Sequence, residues 1–337
     1  MIISRTPFRV SLFGGGTDFP QWYRKHGGAV IGGAIDKYCY INVRALPPFF
    51  EHKHRIVYSN IELVKAIEEI KHPSVRAVLG EMGITEGLEI HHDGDLPARS
   101  GLGSSSSFTV GLLNALHAYR GHMATKQELA RQAIHIEQEV IGESVGSQDQ
   151  MWAAYGGLNR IDFRTDGSID VSPLIILPER RAELEGSLML YFTGFSRIAS
   201  DIEKDKIATL EQRKAQLHTL RAMVDEAAAI LGSPNSPLDQ LGQLLHEGWM
   251  LKRELSKAVS NQKIDDLYEA ALSAGALGGK LLGAGGGGFL LLYVPPERQA
   301  GVRERMKDLI AVNFRFDGGS KIVVYEPTEF DVRQGGI

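Results

Sequence analysis

The sequence predicts an α+β fold with two domains, on three observations. The chain has 337 residues, 43% of them hydrophobic, so it can bury a full core and divide into two domains. Segments with strand-like alternation are interspersed with segments of helical periodicity. A stretch rich in Pro, Glu and Arg between Pro173 and Glu185 predicts a linker. We therefore expect an N-terminal domain over residues 1–180 and a C-terminal domain over residues 181–337.

Composition narrows the class of function. The formal net charge of -4 and the lack of Lys/Arg runs predict neither nucleic-acid nor membrane binding, so an anionic substrate must be bound by a local site. The single cysteine, Cys39, excludes an intramolecular disulfide and a thiolate metal cluster, and we expect it in the core. Neither a secretory leader nor a run of about eighteen apolar residues occurs, which predicts a cytoplasmic protein. A homo-oligomer is compatible with the sequence, which does not determine the oligomeric state.

The first predicted strand leads into a glycine turn. Residues 8–13 alternate in the manner of a strand, and the turn Gly14–Asp18 follows. A carboxylate delivered from a flexible turn predicts a ligand-facing edge, and the alternative is a tight turn with a solvated aspartate. Another strand pattern follows, and the alternation resumes from Tyr38 until Pro47.

Histidines occur in pairs in the next part of the chain. His52 and His54 precede a predicted helix over residues 61–71, and His91 and His92 lie in a predicted strand. We find no third ligand near His52 and His54, so we expect an exposed strand or loop position rather than a metal site, and we expect no metal site at His91 and His92 either.

The stretch from Leu96 to Leu116 is the most informative. Gly101 and Gly103 let the backbone bend close to a ligand, and serines 104–107 surround the first turn of a predicted helix. The amides of that turn and the positive end of the helix dipole make a seat for a phosphate. An ordinary serine-capped helix is the alternative. The pattern is neither a P-loop nor a dinucleotide fingerprint, so the cation for a nucleotide must come from a metal or from elsewhere in the chain.

A second predicted helix, capped by Thr125, places two carboxylates near its C-terminal end. Glu137 and Glu139 oppose the helix dipole there, which indicates a cation partner, while solvated side chains are the alternative. The apolar face of this helix is predicted to carry Leu129, Ala133, Ile136 and Val140.

Asp149 is the candidate general base. It lies in a predicted polar turn, before the apolar residues Met151, Trp152 and Tyr155. Apolar surroundings would hold and partly desolvate the carboxylate, as a general base requires. The alternative is an ordinary aspartate in a surface turn.

The rest of the chain adds a hairpin and a second glycine-rich stretch. Asp166-Gly167 predicts the hairpin turn. The glycines at 285–288 are costly in backbone entropy, so they predict a close approach of the backbone to another segment or to a ligand. The other predicted elements are a strand from Ser187 that leads to Ser196 and Arg197, helices over 200–231, 238–258, 264–274 and 298–312, and strands over 289–294 and 321–326.

Four motifs in this order resemble those of the GHMP kinase superfamily. They are TPFRVSLFGGGTD, LPARSGLGSSSS, IEQEVIGESVGSQDQ and KLLGAGGGGF, and they extend over nearly the whole chain. The spacing from Glu137 to Asp149 resembles that of galactokinases. Within the superfamily, GGGTDFPQWYRKHGG and LLGAGGGGFLLLY most resemble the D-glycero-D-manno-heptose 7-phosphate kinases. The resemblance implies a two-domain GHMP kinase-like fold, with ATP and substrate bound in the cleft between the domains.

The resemblance also implies an activity. The expected enzyme transfers phosphate from ATP, with Mg²⁺, to the anomeric hydroxyl of the heptose 7-phosphate and forms the 1,7-bisphosphate for nucleotide-activated heptose. Galactokinases carry Glu-His where this chain has Gly15-Gly16, which leaves room for a longer or phosphorylated sugar. The alternatives are a kinase for another sugar, such as fucose or galactose, and an inactive regulator that binds sugar and ATP.

Roles for single residues follow from the same resemblance. Asp149 would accept the proton of the attacking hydroxyl, and Arg9 would keep it ionised. Ser105 and Glu137 would hold Mg²⁺, with Glu139 as a weaker match. The implied ATP-binding residues are Pro97, Ser100, Gly101, Leu102, Gly103, Ser104, Ser105 and Ser106. The implied substrate-binding residues are Gly15, Gly16, Thr17, Asp18, Arg197 and Gly285, with Arg197 as the first candidate for the substrate phosphate and Arg24, Lys25 and Lys280 as weaker ones.

Overall fold

The computed structural model describes residues 1–98, 100–194, 207–256 and 258–327. Within these ranges the chain forms two β-sheets with helices packed on them. The strands are β1 (Ile2–Phe13), β2 (Gly28–Ala45), β3 (His54–Val57), β4 (Ile61–Val64), β5 (Leu88–Gly94), β6 (Leu158–Phe163), β7 (Ile169–Pro173), β8 (Leu188–Phe192), β9 (Gly278–Leu281), β10 (Phe289–Tyr293), β11 (Ile310–Val312) and β12 (Lys321–Tyr325). The helices are α1 (Pro20–His26), α2 (Pro73–Glu81), α3 (Ser104–Tyr119), α4 (Lys126–His135), α5 (Gln148–Tyr155), α6 (Pro178–Ser187), α7 (Lys214–Gly232), α8 (Asp239–Leu255), α9 (Gln262–Ser273) and α10 (Gln299–Arg305).

The larger sheet has eight strands in the order β12-β1-β2-β5-β3-β4, with β6 paired to β2 and β7 paired to β6. The register of β1 against β2 shifts between Pro7 and Arg9 and again between Ser11 and Phe13. Such irregularities re-aim side chains. The strand therefore departs from a regular ladder beside the two polar residues, Arg9 and Ser11, that it contributes to the site described below.

The smaller sheet has the order β11-β8-β10-β9, and each of its pairings is antiparallel. A large hydrophobic core includes Trp22, Trp152 and Phe163, and a second cluster includes Tyr191 and Trp249. No helix in the described parts of the chain combines the length and the apolar composition needed to cross a membrane. The division of the chain at residue 180 remains a prediction.

Several predicted elements are confirmed. A helix does start in the serine run, the hairpin turn at Asp166-Gly167 joins β6 to β7, and Thr125 caps α4. The Thr125 hydroxyl accepts the N–H of Glu128 at 3.1 Å, and the Glu128 side chain returns a bond to the cap. The cap of α3 is Gly103, with φ of 74° and no side-chain cap bond, so the alternative of an ordinary serine-capped helix is wrong.

The helix that contains Glu137 differs from its prediction. Helix α4 ends at His135 and continues as a π-helical turn over Ile136–Val140. The wider turn changes the angular position of each following side chain. Val140, expected on the apolar face, is therefore 39% exposed, whereas Glu137 is completely buried.

Other boundaries also need correction. The last strand, β12, is predicted to belong to the second domain, but it pairs with β1 in the larger sheet. The predicted helix over 298–312 stops at Arg305, and strand β11 follows it. The predicted linker includes α6, which starts with proline, a residue well suited to the first helical turn. Helix α7 starts at Lys214, and residues 200–206 of the predicted helix lie outside the described residues.

The predicted helix over residues 61–71 is wrong. Strand β4 and a 3₁₀ turn occupy this segment, and a buried carboxylate, Glu62, organises it. Glu62 accepts the backbone N–H groups of Lys71 at 2.6 Å and His72 at 3.0 Å, and the hydroxyl of Tyr58 at 2.9 Å. Burial alone would raise the pKa of Glu62, but these hydrogen bonds lower it below the ordinary 4.5. The carboxylate therefore binds backbone amides that an α-helix would have used internally.

We predict that Glu62→Gln destabilises the protein by about 1–3 kcal/mol at pH 7, because an amide NH₂ cannot replace a carboxylate oxygen that accepts an N–H. Since the folded-state pKa is lowered, the ionised carboxylate stabilises the fold above pH 4.5, and this contribution fades as the pH falls through the folded pKa. Urea unfolding measures the difference in free energy of unfolding between wild type and variant, and this difference should be smaller below pH 4 than at pH 7. Exposed Glu68→Gln is the matched control, and a gap unaffected by pH would contradict the account.

Candidate active site

One cavity brings together residues from all four motifs. Its wall is formed by β1 and the glycine turn after it, the start of α3, the π-helical turn, the first turn of α5, the C-terminal part of α8, and β9 with the loop after it. These segments lie far apart in the chain, and the fold joins them at a single site.

Two glycine-rich loops pack backbone to backbone beside the cavity. A Cβ on Gly101 would lie 2.5 Å from the carbonyl oxygen of Leu282, and a Cβ on Gly283 would lie 2.5 Å from the Cα of Gly101. A Cβ on Gly288 would lie 2.2 Å from the carbonyl oxygen of Ser100. The predicted close approach of the second glycine-rich stretch is confirmed, and the segment it approaches is the loop before α3.

The start of α3 provides an anion-binding surface. Ser104, Ser105 and Ser106 line the cavity, so the first turn of the helix borders it. The N–H groups of a first turn have no acceptor within the helix, and the helix dipole is positive there. A phosphate can therefore be bound by backbone amides at this end of α3.

Arg9 and Asp149 form a partly buried ion pair. Arg9 donates from Nε to Asp149 Oδ1 at 2.7 Å and from Nη2 to Oδ2 at 2.6 Å, while only 5% of its side chain is exposed. Its Nη1 donates to the carbonyl oxygen of Gly101 at 2.6 Å. Two parallel bonds fix the plane of the carboxylate. Asp149 keeps 25% of its side chain exposed and lines the cavity, where it can accept a proton.

Glu137 is the most buried carboxylate of the site. Ser106 donates its hydroxyl to Glu137 Oε2 at 2.8 Å, and Gln150 Nε2 contacts the same oxygen. Oε1 has no hydrogen-bond partner among the described residues. Burial raises the pKa of Glu137 to about 7, since the polar side chains beside it offset only part of the desolvation. An unpartnered buried oxygen next to a hydroxyl is a donor set that suits a hard cation.

Glu139 is separated from this site. Its side chain is 68% exposed and pairs with His135 at 2.9 Å. Of the two carboxylates that the sequence left open as metal ligands, the fold brings only Glu137 to the cavity.

Asp18 is the third carboxylate on the cavity wall. It is 2% exposed, and it accepts the N–H of Gly16 at 2.9 Å. Burial raises its pKa, and the nearby charge of Asp149 raises it further. A Cβ at Gly146 would lie 1.9 Å from Asp18 Oδ2, so the glycine leaves the room that this carboxylate occupies. Asp18 and Asp149 together offer acceptors for the hydroxyl groups of a ligand.

Two buried lysines add positive charge to the cavity wall. Lys252 Nζ donates to the carbonyl oxygens of Leu281 at 3.0 Å and Gly283 at 2.7 Å, and Lys280 Nζ donates to that of Leu12 at 2.9 Å. Lys280 is one of the weaker candidates predicted from the sequence, whereas sequence reasoning missed Lys252.

A signal for Lys252 does exist in the sequence. Lys252 follows Leu245 and Trp249 at helical spacing, and all three are buried. A lysine that continues an apolar helical face indicates either a snorkelling side chain or a polar cavity. Only the fold reveals that a cavity lies there.

Most predicted site residues line this cavity, and five do not. Thr17 is buried, and its hydroxyl lies within hydrogen-bond distance of the carbonyl oxygens of Gly14 in the glycine turn and Ala29 in β2. Gly285 packs against Val259, and a Cβ on this glycine would lie 2.6 Å from the Val259 Cα. Arg197 lies outside the described residues. Pro97, Ser100 and Leu102, together with Thr17 and Gly285, do not line the cavity. The predicted residues that do line it are Arg9, Gly15, Gly16, Asp18, Gly101, Gly103, Ser104, Ser105, Ser106, Glu137 and Asp149.

A cluster elsewhere has the composition of a metal site. His117, His122 and Glu128 bring possible ligand atoms within 4.8 Å of one another near the turn between α3 and α4. His122 Nε2 already pairs with the Glu128 carboxylate at 3.2 Å, and His117 Nε2 pairs with Gln132 Oε1 at 2.7 Å. These hydrogen bonds account for the cluster without a cation.

Comparison with known proteins identifies the family. The family model of the GHMP kinases N-terminal domain matches residues 62–157, and that of the GHMP kinases C-terminal domain matches residues 227–311. A D-glycero-alpha-D-manno-heptose 7-phosphate kinase from Campylobacter jejuni is 30% identical over 311 residues, which are 88% of this chain and 91% of that protein.

Solved structures agree in fold. A D-glycero-D-manno-heptose 1-phosphate kinase from Bacteroides thetaiotaomicron has a TM-score of 0.78 at 24% identity, covering 97% of this chain and 100% of that one. Galactokinase from Lactococcus lactis, solved with galactose, has a TM-score of 0.72 at 18% identity, covering 95% and 94%. The predicted GHMP kinase-like fold is confirmed. The chain therefore belongs to the GHMP kinase family, whose sugar kinases are phosphotransferases that use ATP and act on hydroxyl groups.

Proposed function

We propose that this chain is a sugar kinase that transfers the γ-phosphoryl group of ATP to the anomeric hydroxyl of D-glycero-D-manno-heptose 7-phosphate and forms the 1,7-bisphosphate. The observation that carries the proposal is one cavity in which the Arg9-held carboxylate of Asp149, the buried carboxylate of Glu137 and the first turn of α3 meet. Because the reaction consumes ATP, we place it in the cytoplasm.

Three features support a phosphorylated heptose as the substrate. The Campylobacter jejuni relative is named as a kinase of the heptose 7-phosphate. Gly15 and Gly16 line the cavity and leave space that larger side chains would fill. Lys252 and Lys280 add positive charge to the same wall, which suits a substrate that carries a phosphate of its own. Arg197 stays a predicted contact for that phosphate.

The chemistry assigns a separate task to each group. Asp149 accepts the proton of the sugar hydroxyl. The hydroxyl oxygen bonds to the γ-phosphorus as the bond from that phosphorus to ADP breaks. Arg9 keeps the Asp149 carboxylate in one orientation. The N–H groups at the start of α3 donate to phosphate oxygens, which stabilises the charge of the transferring group. Alignment and neutralisation of charge therefore supply most of the catalysis.

The residues around Glu137 fit Mg²⁺. The buried Oε1 without a described partner is the oxygen we assign as a ligand. The serine hydroxyl nearest to this carboxylate is that of Ser106, while the predicted ligand Ser105 is exposed and lines the same cavity. We propose that Glu137 and one of these serines hold the ion. Bound there, Mg²⁺ would supply positive charge against the phosphate oxygens.

The substrate assignment is tested with Mg²⁺, ATP and one sugar at a time. We expect turnover with D-glycero-D-manno-heptose 7-phosphate, and a kcat/KM at least about tenfold lower with free fucose or galactose, because a free hexose lacks the phosphate whose negative charge the cationic groups of the wall favour. The two heptose kinases above are named for different phosphate positions, so NMR of the product must locate both phosphates. Turnover with a free hexose alone contradicts the substrate, and nucleotide binding without turnover on any sugar contradicts the kinase assignment.

We predict that Asp149→Asn lowers kcat by about 10²- to 10⁴-fold and leaves ATP binding intact, because an amide cannot take the proton of the hydroxyl. Steady-state kinetics and calorimetric titration with ATP measure the two quantities. Asp162→Asn is the matched control, since Arg160 holds Asp162 through the same pair of atoms at 2.8 Å, outside the cavity. Near-normal turnover of the Asp149 variant would exclude it as the base.

We predict that Glu137→Gln weakens the response to Mg²⁺. Loss of an outer-shell partner of a metal ligand lowers metal affinity by about 10- to 100-fold. Loss of the ligand itself should therefore raise the apparent KM for Mg²⁺ by at least that factor. Glu139→Gln, on the same helical turn but exposed, is the control and should behave as wild type. Equal responses of the two variants would remove Glu137 from the metal site.

A further inference from the structure

The Glu137 carboxylate is bonded unequally. Its Oε2 accepts from two donors, Ser106 Oγ at 2.8 Å and Gln150 Nε2, whereas Oε1 has no partner among the described residues. Thr109, one turn further along α3, donates its hydroxyl to the Ser105 carbonyl oxygen at 3.2 Å, and its side chain also favours the ionised form of Glu137. Two donors on one oxygen hold the carboxylate in a single orientation and leave the other oxygen to a ligand.

Gln150 is buried as deeply as Glu137. Both residues are 0% exposed, and the amide oxygen of Gln150, its Oε1, also lacks a partner among the described residues. Leaving a buried polar atom unpaired costs about 1–3 kcal/mol. Two such oxygens on residues that line one cavity therefore indicate that a bound species completes their hydrogen bonding or coordination.

Gln150 also connects the Glu137 carboxylate to the helical turn that carries Asp149. It follows Asp149 in the first turn of α5, and consecutive helical side chains diverge by about 100°. Asp149 accordingly reaches Arg9, and Gln150 reaches Glu137. The next residues, Met151 and Trp152, are buried and anchor this turn in the core.

Resting on the kinase function proposed above, we propose that Gln150 is a positioning residue of the reaction: its amide N–H group anchors Glu137 Oε2, so that Oε1 is the oxygen that binds the cation accompanying ATP. The amide oxygen of Gln150 would be a second ligand of the same cation, or the hydrogen-bond acceptor of a water molecule bound to it. The first turn of α5 thereby fixes the position of Asp149 relative to the carboxylate of Glu137.

A purely structural role makes a different prediction. If Gln150 only satisfied a buried carboxylate, its loss would lower stability and leave the cation dependence of nucleotide binding unchanged. A positioning role predicts that the cation dependence falls while the affinity for the metal-free nucleotide is retained. Nucleotide binding without any sugar separates the two roles, and it does not depend on which sugar is the substrate.

The experiment measures the Kd of a non-hydrolysable ATP analogue by calorimetry, once with Mg²⁺ and once with EDTA. The ratio of the two Kd values reports the contribution of the cation. For Gln150→Met, which has a similar length and no hydrogen-bonding amide, we expect this ratio to fall by about 10- to 100-fold relative to wild type. The control is Gln132→Met, a partly buried glutamine that bonds His117 outside the cavity, and it should keep the wild-type ratio.

The outcomes are distinguishable. A wild-type ratio in Gln150→Met, with only a lower midpoint of thermal unfolding, overturns the positioning role and leaves the kinase function standing. Wild-type protein that binds the analogue equally well with and without Mg²⁺ overturns both the metal site and this inference. Where Gln150→Met fails to fold, Gln150→Asn withdraws the amide from Glu137 by one methylene, and the same fall in the ratio is expected of it.

Discussion

The ion pair between Arg9 and Asp149 is the contact on which the site depends. Arg9 comes from β1, Asp149 from the first turn of α5, and the guanidinium also donates to Gly101 in the loop before α3. The backbone N–H of Arg9 donates to the Leu102 carbonyl at 3.0 Å, so strand and loop are joined twice. A buried guanidinium is tolerated only when its donors are satisfied, and here satisfying them fixes Asp149, the strand and the loop before α3 relative to one another.

The glycine-rich loops impose a second constraint, because they leave no room for side chains. Gly101 and Gly283 approach so closely that a Cβ on either would overlap the backbone of the other loop. Lys252 binds the carbonyl oxygens of Leu281 and Gly283, so it fixes the second loop from the side of α8. The anion-binding end of α3 is therefore supported by the C-terminal part of the chain, which explains why motifs so distant in sequence occur together.

Sequence reasoning succeeded where local chemistry decides the structure and failed where distant contacts do. Thr125 with Glu128 specifies the start of one helix, and the glycine-to-serine run specifies the start of α3, because neighbouring residues suffice for both. The helix predicted over 61–71 failed because Glu62 binds amides nine and ten residues away. The contact of Ser106 with Glu137 depends on a π-helical turn, whose extra width no periodicity revealed. The family resemblance supplied the proposed roles, and the fold shows which of the proposed residues lie together at the cavity.

The charges of the cavity support the proposal that a cation accompanies the nucleotide. The described wall carries three carboxylates, Asp18, Glu137 and Asp149, and three cationic groups, Arg9, Lys252 and Lys280, so formal charges of three and three cancel when all are ionised. Arg9 is bound to Asp149, and both lysines donate to backbone carbonyls, which limits how far these cations can move toward a ligand. The phosphates of ATP and of a phosphosugar would add several negative charges. Backbone amides at α3 would offset part of that charge, and the divalent ion proposed at Glu137 would supply positive charge that the wall itself lacks.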